Sequence, residues 1–387
     1  NSIASGGNFN VAVGDEAGTA ITTGDRNTVV GYQAGDAITT GSKNTALGRH
    51  ALTALIDADD NTAIGDGALA ADTKGTKSTA IGRDTLATQN FTSATDTYNT
   101  AVGFAAGLGV TTGRNNTLIG ALAGDANTTG ASNTAVGSGS LGANTTASDN
   151  TAVGNQAGTA VTTGTKNTLI GAEAGDAITT ASGNVALGYS ALGACTTGAD
   201  NVAIGMNAGL SVTTGLRNTL IGDLSGDALT DADDNVAIGS FALSADTLGS
   251  RSTAIGKAAL GSQNFTSATN ANNTAVGYQA GVSVTTGTLN TLIGGQAGDA
   301  LSVGDANIAV GYTALGSDTK GNRSTAIGTG ALATQNFTSA TNVYNTAVGD
   351  SAGAAVTTGV QNTFIGGLAG DANTTASTNT AVGYASL

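Results

Sequence analysis

Few residues in this 387-residue chain carry the groups that catalysis or metal binding needs. The only histidine, His50, follows Arg49, and a general base there would need a positioned partner that its surroundings do not supply. Cys195 is the only cysteine, so an intrachain disulfide is excluded; with no Cys or His cluster around it, it reads as the filling of an apolar slot. Two acidic runs, Asp57-Ala58-Asp59-Asp60 and Asp231-Ala232-Asp233-Asp234, gather carboxylates at a turn. That makes Asp57, Asp59, Asp60, Asp231, Asp233 and Asp234 candidate ligands for Ca²⁺, which takes about six to eight oxygens, although neither run matches a calcium loop and solvated acidic turns are the commoner case. The glycine-rich turns lack the Gly-Lys-Ser/Thr of a phosphate loop. Three Asn-Phe-Thr triplets, at Asn90, Asn264 and Asn336, are formal glycosylation acceptors. Their aromatics, Phe91, Phe265 and Phe337, either anchor a partner from a protruding loop or fold back over their own coil. The expectation is a non-enzyme with no catalytic residue and no cofactor.

The composition narrows the class further. There are 60 Gly, no Pro and no Trp, aromatics are 4%, and the 40% hydrophobic fraction is mostly Ala with Val, Ile and Leu. Any interior must therefore be thin and approached closely by backbone. Charge is sparse and acidic, 13 Lys and Arg against 27 Asp and Glu, which argues against nucleic acid or an anionic membrane surface as partner. No apolar run approaches the ~20 residues that span a bilayer, and no start reads as a signal peptide. The chain opens at Asn1 and stops at Leu387 inside its own pattern, so it reads as a piece of something longer.

That pattern is a five-residue core of the form Asn-Thr-Ala-Val-Gly, which returns 22 times between Asn10 and Asn379. Eighteen of the 21 intervals are 17 residues and three are 21. Each long interval carries Gln-Asn-Phe-Thr-Ser-Ala-Thr, placing loop insertions near 89-95, 263-269 and 335-341 in an otherwise continuous repeat region over 1-387. With the Asn as slot 1, slot 5 is Gly in all 22 copies and slot 4 is always Val, Ile or Leu. Recurrent Gly and β-branched runs disfavour helix. The expected fold is all-β: a parallel β-solenoid of about 22 coils, with two short strands and two turns in each. At a strand spacing of about 4.8 Å, such a stack is a rod on the order of 100 Å long.

Stacking places the slot-1 residues, Asn in 19 coils and Ser in three, above one another. Asn27, Asn116 and Asn167 are expected in an amide ladder, with Gly31, Gly120 and Gly171 closing the adjacent turn. Adjacent strand residues face opposite sides, so the apolar slots 3 and 4 imply a strand covered on both faces, one by the coil interior and one by neighbouring copies of the chain. Val30, Ile119, Ile170, Leu118, Leu169, Leu220, Leu292 and Phe364 are the core or interchain residues on this reading. Bulky slot-3 residues recur with Asp at slot 10: Asp36, Asp125, Asp176, Asp227, Asp299 and Asp371. The co-occurrence implies a three-coil superperiod with a wider layer in each unit.

Asn-Thr-Ala-Val-Gly-Tyr-Gln-Ala-Gly at Asn273 to Gly281, with its relatives along the whole chain, resembles the head repeats of trimeric autotransporter adhesins of the YadA type. It is similar also to repeats in phage-tail-fibre-like surface proteins. The resemblance implies a left-handed parallel β-roll with three chains side by side, outside the cell or on a virion tail; the 17-residue coil with its Thr-Thr-Gly run departs from the shorter family repeat. Three functions follow as expectations. The first is a homotrimeric surface fibre, extensible end to end into a filament, that attaches to a cell-surface, host or abiotic receptor by many weak contacts. The second is a tail-fibre shaft. The third is an ice-binding solenoid, suggested by paired threonines such as Thr22-Thr23 and Thr357-Thr358.

Overall fold

Three β-favouring residues between an Asn and a Gly are enough for one short strand, and the 17-residue return brings the next such strand alongside. A computed structural model, which describes residues 6–387, shows the result: an all-β parallel β-solenoid with a coil for each repeat and no helix among the described residues. The chain divides into two compact units, Asn1–Thr197 and Gly198–Leu387. Eleven three-residue strands lie in the first unit, from Val11–Val13 to Val185–Leu187, and eleven in the second, from Val202–Ile204 to Thr380–Val382. Within each unit the strands pair in parallel with no offset between slots. Thr28, Val29 and Val30 face Thr45, Ala46 and Leu47, and Thr291, Leu292 and Ile293 face Ile308, Ala309 and Val310.

Only one strand forms per ordinary coil, where two were expected. The second run, such as Ile21-Thr22-Thr23, is a bend, because the Thr23 and Gly24 N–H groups both converge on the single carbonyl of Thr39 in the next coil, at 3.3 Å, and curl the chain. Coil-to-coil bonds persist through it nonetheless, with Thr22 N–H on Thr39 O at 2.9 Å and Thr39 N–H on Ile56 O at 2.8 Å.

The asparagine ladder is buried and doubly bonded. Asn27 N–H donates to Asn10 Oδ1 at 2.8 Å, and Asn27 Nδ2 donates to the Gly41 carbonyl of its own coil at 2.8 Å. Asn116 and Asn167 repeat both bonds, on Asn99 and Gly130 and on Asn150 and Ala181. Each side chain thus satisfies backbone groups of two coils that would otherwise be buried without partners. Slot 5 must be Gly for a steric reason: Gly120 has φ +134, and a Cβ there would lie 2.5 Å from the carbonyl oxygen of Gly137 in the next coil.

Four side-chain columns fill the interior: slots 3, 8, 9 and 12, with Ala prevailing at slot 8. Slot 9 is in the left-handed region throughout, and it is either Gly or Leu. The choice is set by slot 3. Leu118 lies over Gly124 of its own coil and Gly107 of the preceding one, so that a Cβ at either would come within 2.8 or 2.7 Å of its methyls. Leu169 sits likewise over Gly158 and Gly175, Leu292 over Gly281 and Gly298, and Phe364 over Gly353 and Gly370. Coils with Ala46, Ala63 and Ala80 at slot 3 instead carry Leu52, Leu69 and Leu86 at slot 9, all buried. The bulky coils are therefore not wider layers, as the superperiod suggested, because two glycines offset each large side chain and density stays constant. Leu220, over Gly226, follows the same rule.

Candidate functional site

The sequence features that break the repeat are the insertions, and each is built around a buried carboxylate. At slot 12, where Ile21, Ile38, Val161 and Cys195 are buried, the coil before each insertion has Asp and the inserted coil has Gln. Gln89 Nε2 donates to Asp72 Oδ2 at 2.6 Å, and the N–H groups of Gly75 and Phe91 donate to Asp72 Oδ1 at 2.9 and 3.2 Å. Gln89 Oε1 accepts from Asn99 Nδ2 at 2.8 Å, replacing the Asn oxygen that Ser78 lacks, while its Nε2 also donates to Ser78 Oγ at 2.9 Å. The same network recurs at Asp246, Gln263 and Asn273 and at Asp318, Gln335 and Asn345. Asp72, Asp246 and Asp318 were not singled out from sequence. The available signal was an Asp followed one coil later by Gln in a slot that otherwise holds aliphatic residues, Cys195 or Asn.

The loop aromatics are not exposed anchors. Phe91, Phe265 and Phe337 are only 7%, 6% and 8% exposed. Phe265 turns back onto the preceding coil, where a Cβ on Gly249 would lie 2.8 Å from its ring. This corrects the contact-loop expectation: covering the widened coil removes apolar ring surface from water. The extra residues are tied down by a second parallel pair, Gly75 and Thr76 facing Thr95 and Asp96. Asn90, Asn264 and Asn336 stay exposed.

The acidic runs do not converge on a cation site. Among the described residues no group of three His, Cys, Asp or Glu is placed to hold a metal ion. Instead the carboxylates point along the stack to the same face of the adjacent coil. Asp57 pairs with Lys74 at 3.6 Å, Asp60 with Lys43 at 3.7 Å, and Asp234 with Arg217 at 2.6 Å. Asp59 and Asp233 each accept a backbone N–H, from Ser42 and Leu216 at 2.7 Å, and Asp231 accepts from the Thr214 hydroxyl. Such exposed pairs contribute little to stability, because solvent screens them. His50 stacks edge-on against Tyr32, with centroids 5.5 Å apart, and Cys195 is buried as expected.

Two sets of carboxylates are shifted in opposite directions. The Lys77 ammonium, the Thr76 hydroxyl and the Tyr98 hydroxyl hold the Asp96 carboxyl down at about 2. Arg49 lowers Asp66 and Arg217 lowers Asp234 in the same sense. Burial pushes Asp125, Asp176, Asp227 and Asp299 upward. The depressed groups stabilise the fold above their ordinary range, and that contribution is lost as pH falls through their lowered values; the raised groups act oppositely, gaining stability as they protonate. Carboxyl-detected NMR titration is expected to resolve Asp96 near 2 and the four others above 3.8. Asp299 titrating below Asp96 would overturn this assignment.

Outside, slots 2 and 4 of each strand form two ranks. Slot 2 is mostly Thr, and slot 4 leaves aliphatic side chains in water: Leu47 is 46% exposed, Ile119 38%, Ile170 37% and Leu187 42%, with Ile293, Ile327 and Ile365 alike in the second unit. Val30 is half-buried, whereas the slot-3 residues Leu118, Leu169, Leu220, Leu292 and Phe364 are wholly interior. Thr22, Thr39, Thr162 and Thr213, at slot 13, donate their hydroxyls to the slot-13 carbonyl of the next coil, so these protons are already committed within the chain.

Neither protein-family models nor curated proteins give any match to the chain. The functional reading therefore rests on the geometry of the solenoid.

Proposed function

We propose that the chain is a segment of an extracellular surface fibre in which three copies lie side by side, and that it mediates attachment through many weak, repeated contacts. The observation that carries this reading is the aliphatic rank at slot 4. A single chain leaves it half-exposed in coil after coil, far beyond the scattered apolar residues of an ordinary surface. Identical copies are the economical cover, since the rank repeats with the coil and presents the same side chains to each neighbour. Repetition also suits adhesion, because identical weak sites on one body raise avidity without a deep pocket.

Light scattering at several concentrations tests the assembly. The expected mass is three times the 36.9 kDa of the chain. Paired substitutions Ile119→Glu and Ile170→Glu, whose side chains face out, are expected to shift that mass to a single chain without unfolding the coils. A wild-type chain that stays monomeric at every concentration would remove the reading.

A further inference from the structure

Slot 10 of the bulky coils holds an aspartate, and the residue above it, slot 10 of the next coil, decides what that carboxylate meets. Over Asp36 stands Thr53, whose Oγ1 donates to Asp36 Oδ1 at 2.7 Å. Over Asp299 stands Gly316, and a Cβ there would already lie 3.2 Å from Asp299 Oδ1. With no side chain in that place, an open groove of about 400 Å³ forms, lined by Gln296, Asp299, Thr313, Gly316, Ser317 and Thr334. The Asp299 carboxylate lies beside the backbone N–H groups of Asp299 and Ala300 and is half-buried, in no ion pair among the described residues.

We infer that this groove binds a neutral saccharide, a ligand hydroxyl taking the position over Asp299 that the Thr53 hydroxyl takes over Asp36. An ionised carboxylate accepts strongly from a hydroxyl, and the amide and hydroxyls of Gln296, Thr313 and Ser317 suit further hydroxyls. An acidic sugar is disfavoured by Asp299 and by a net charge of −14. The inference supplies a ligand class for the adhesive reading and rests on that reading for its biological use, although binding itself requires only the groove.

The test is saturation-transfer NMR and calorimetry on the whole chain with neutral manno- and gluco-oligosaccharides and with an oligouronate. At least one neutral probe is expected to bind, with the oligouronate about tenfold weaker or more, and Asp299→Asn and Gly316→Thr each losing about tenfold, the loss of one hydrogen bond to a charged group. Gly316→Thr copies the Thr53 arrangement, so its fold is expected to hold, and a melting curve checks that. No transfer from any neutral probe, equal binding of the oligouronate, or full binding by folded Gly316→Thr would each overturn the inference. A trimer that adheres to surfaces equally well with Gly316→Thr overturns the groove alone; a monomer whose sugar binding Gly316→Thr abolishes overturns the fibre reading alone.

Discussion

Replacing Leu118 by alanine is expected to destabilise the first unit by about 3 kcal/mol, because the space beneath it cannot collapse. Two walls of that space are glycine backbone, Gly107 and Gly124, and the Leu86 and Val110 methyls beside Gly107 are already packed. Adding a side chain without removing Leu118 should also fail: Gly124→Leu would overpack the column, at about 1–3 kcal/mol. The informative variant combines Leu118→Ala with Gly107→Leu and Gly124→Leu. It recreates the natural run of three coils carrying Ala46 and Leu52, Ala63 and Leu69, and Ala80 and Leu86. Its unfolding free energy, read by denaturant titration, is expected to recover most of the loss, giving a coupling larger than about 1 kcal/mol. Additive losses in all three substitutions would show that slots 3 and 9 do not share one volume.

The second large effect is expected at Gln89. Gln89→Glu places a second carboxylate 2.6 Å from buried Asp72 and removes the side-chain donor that Asp72 uses. At neutral pH the cost should be about 3 kcal/mol, the scale of a buried charge stripped of its partner. Two like charges in one site raise the affinity for a proton, so the folded-state pKa of the pair lies above its unfolded value. Stability is therefore gained as pH falls through that raised value, and the deficit relative to the parent chain should narrow on acidification. Thermal melts of both chains between pH 7 and pH 4 test this. A deficit that stays constant with pH would mean that Asp72 and Gln89 do not share a proton-sensitive contact.

Much of this fold is legible in the residues because the repeat is short and exact in phase. An invariant slot-5 Gly and a nearly invariant slot-1 Asn specify a turn and a buried ladder, and both appear where expected, with Asn27 bonded to Asn10 of the preceding coil and to Gly41 of its own. The second run does not form the expected strand, since β-branched residues such as Ile21 and Thr22 suit a bend equally when neighbouring N–H groups share one acceptor. The coupling of Leu118 to Gly107 and Gly124 is written in the sequence, yet it becomes readable only once slots 3 and 9 are known to face each other. The loop phenylalanines show the same limit: whether Phe265 covers or protrudes depends on Gly249, a residue 16 positions earlier with no local mark. The groove at Asp299 hinges likewise on a glycine 17 residues away.

The pairing of one large side chain with two glycines also governs how such a chain can change length. A coil carrying Ala and Leu fills its own space, so it can be added or lost singly. The coils of Gly107 and Gly124 are joined through Leu118 and cannot be separated without leaving a hole or a clash. The sequence keeps this grammar: between Leu118 and Leu169 one self-filling coil intervenes, that of Leu141, and between Leu220 and Leu292 there are two, those of Leu243 and Leu260. Copying errors during gene duplication are thus filtered by volume, and lineages of this protein should differ by whole self-filling coils or by intact glycine pairs, never by half of one.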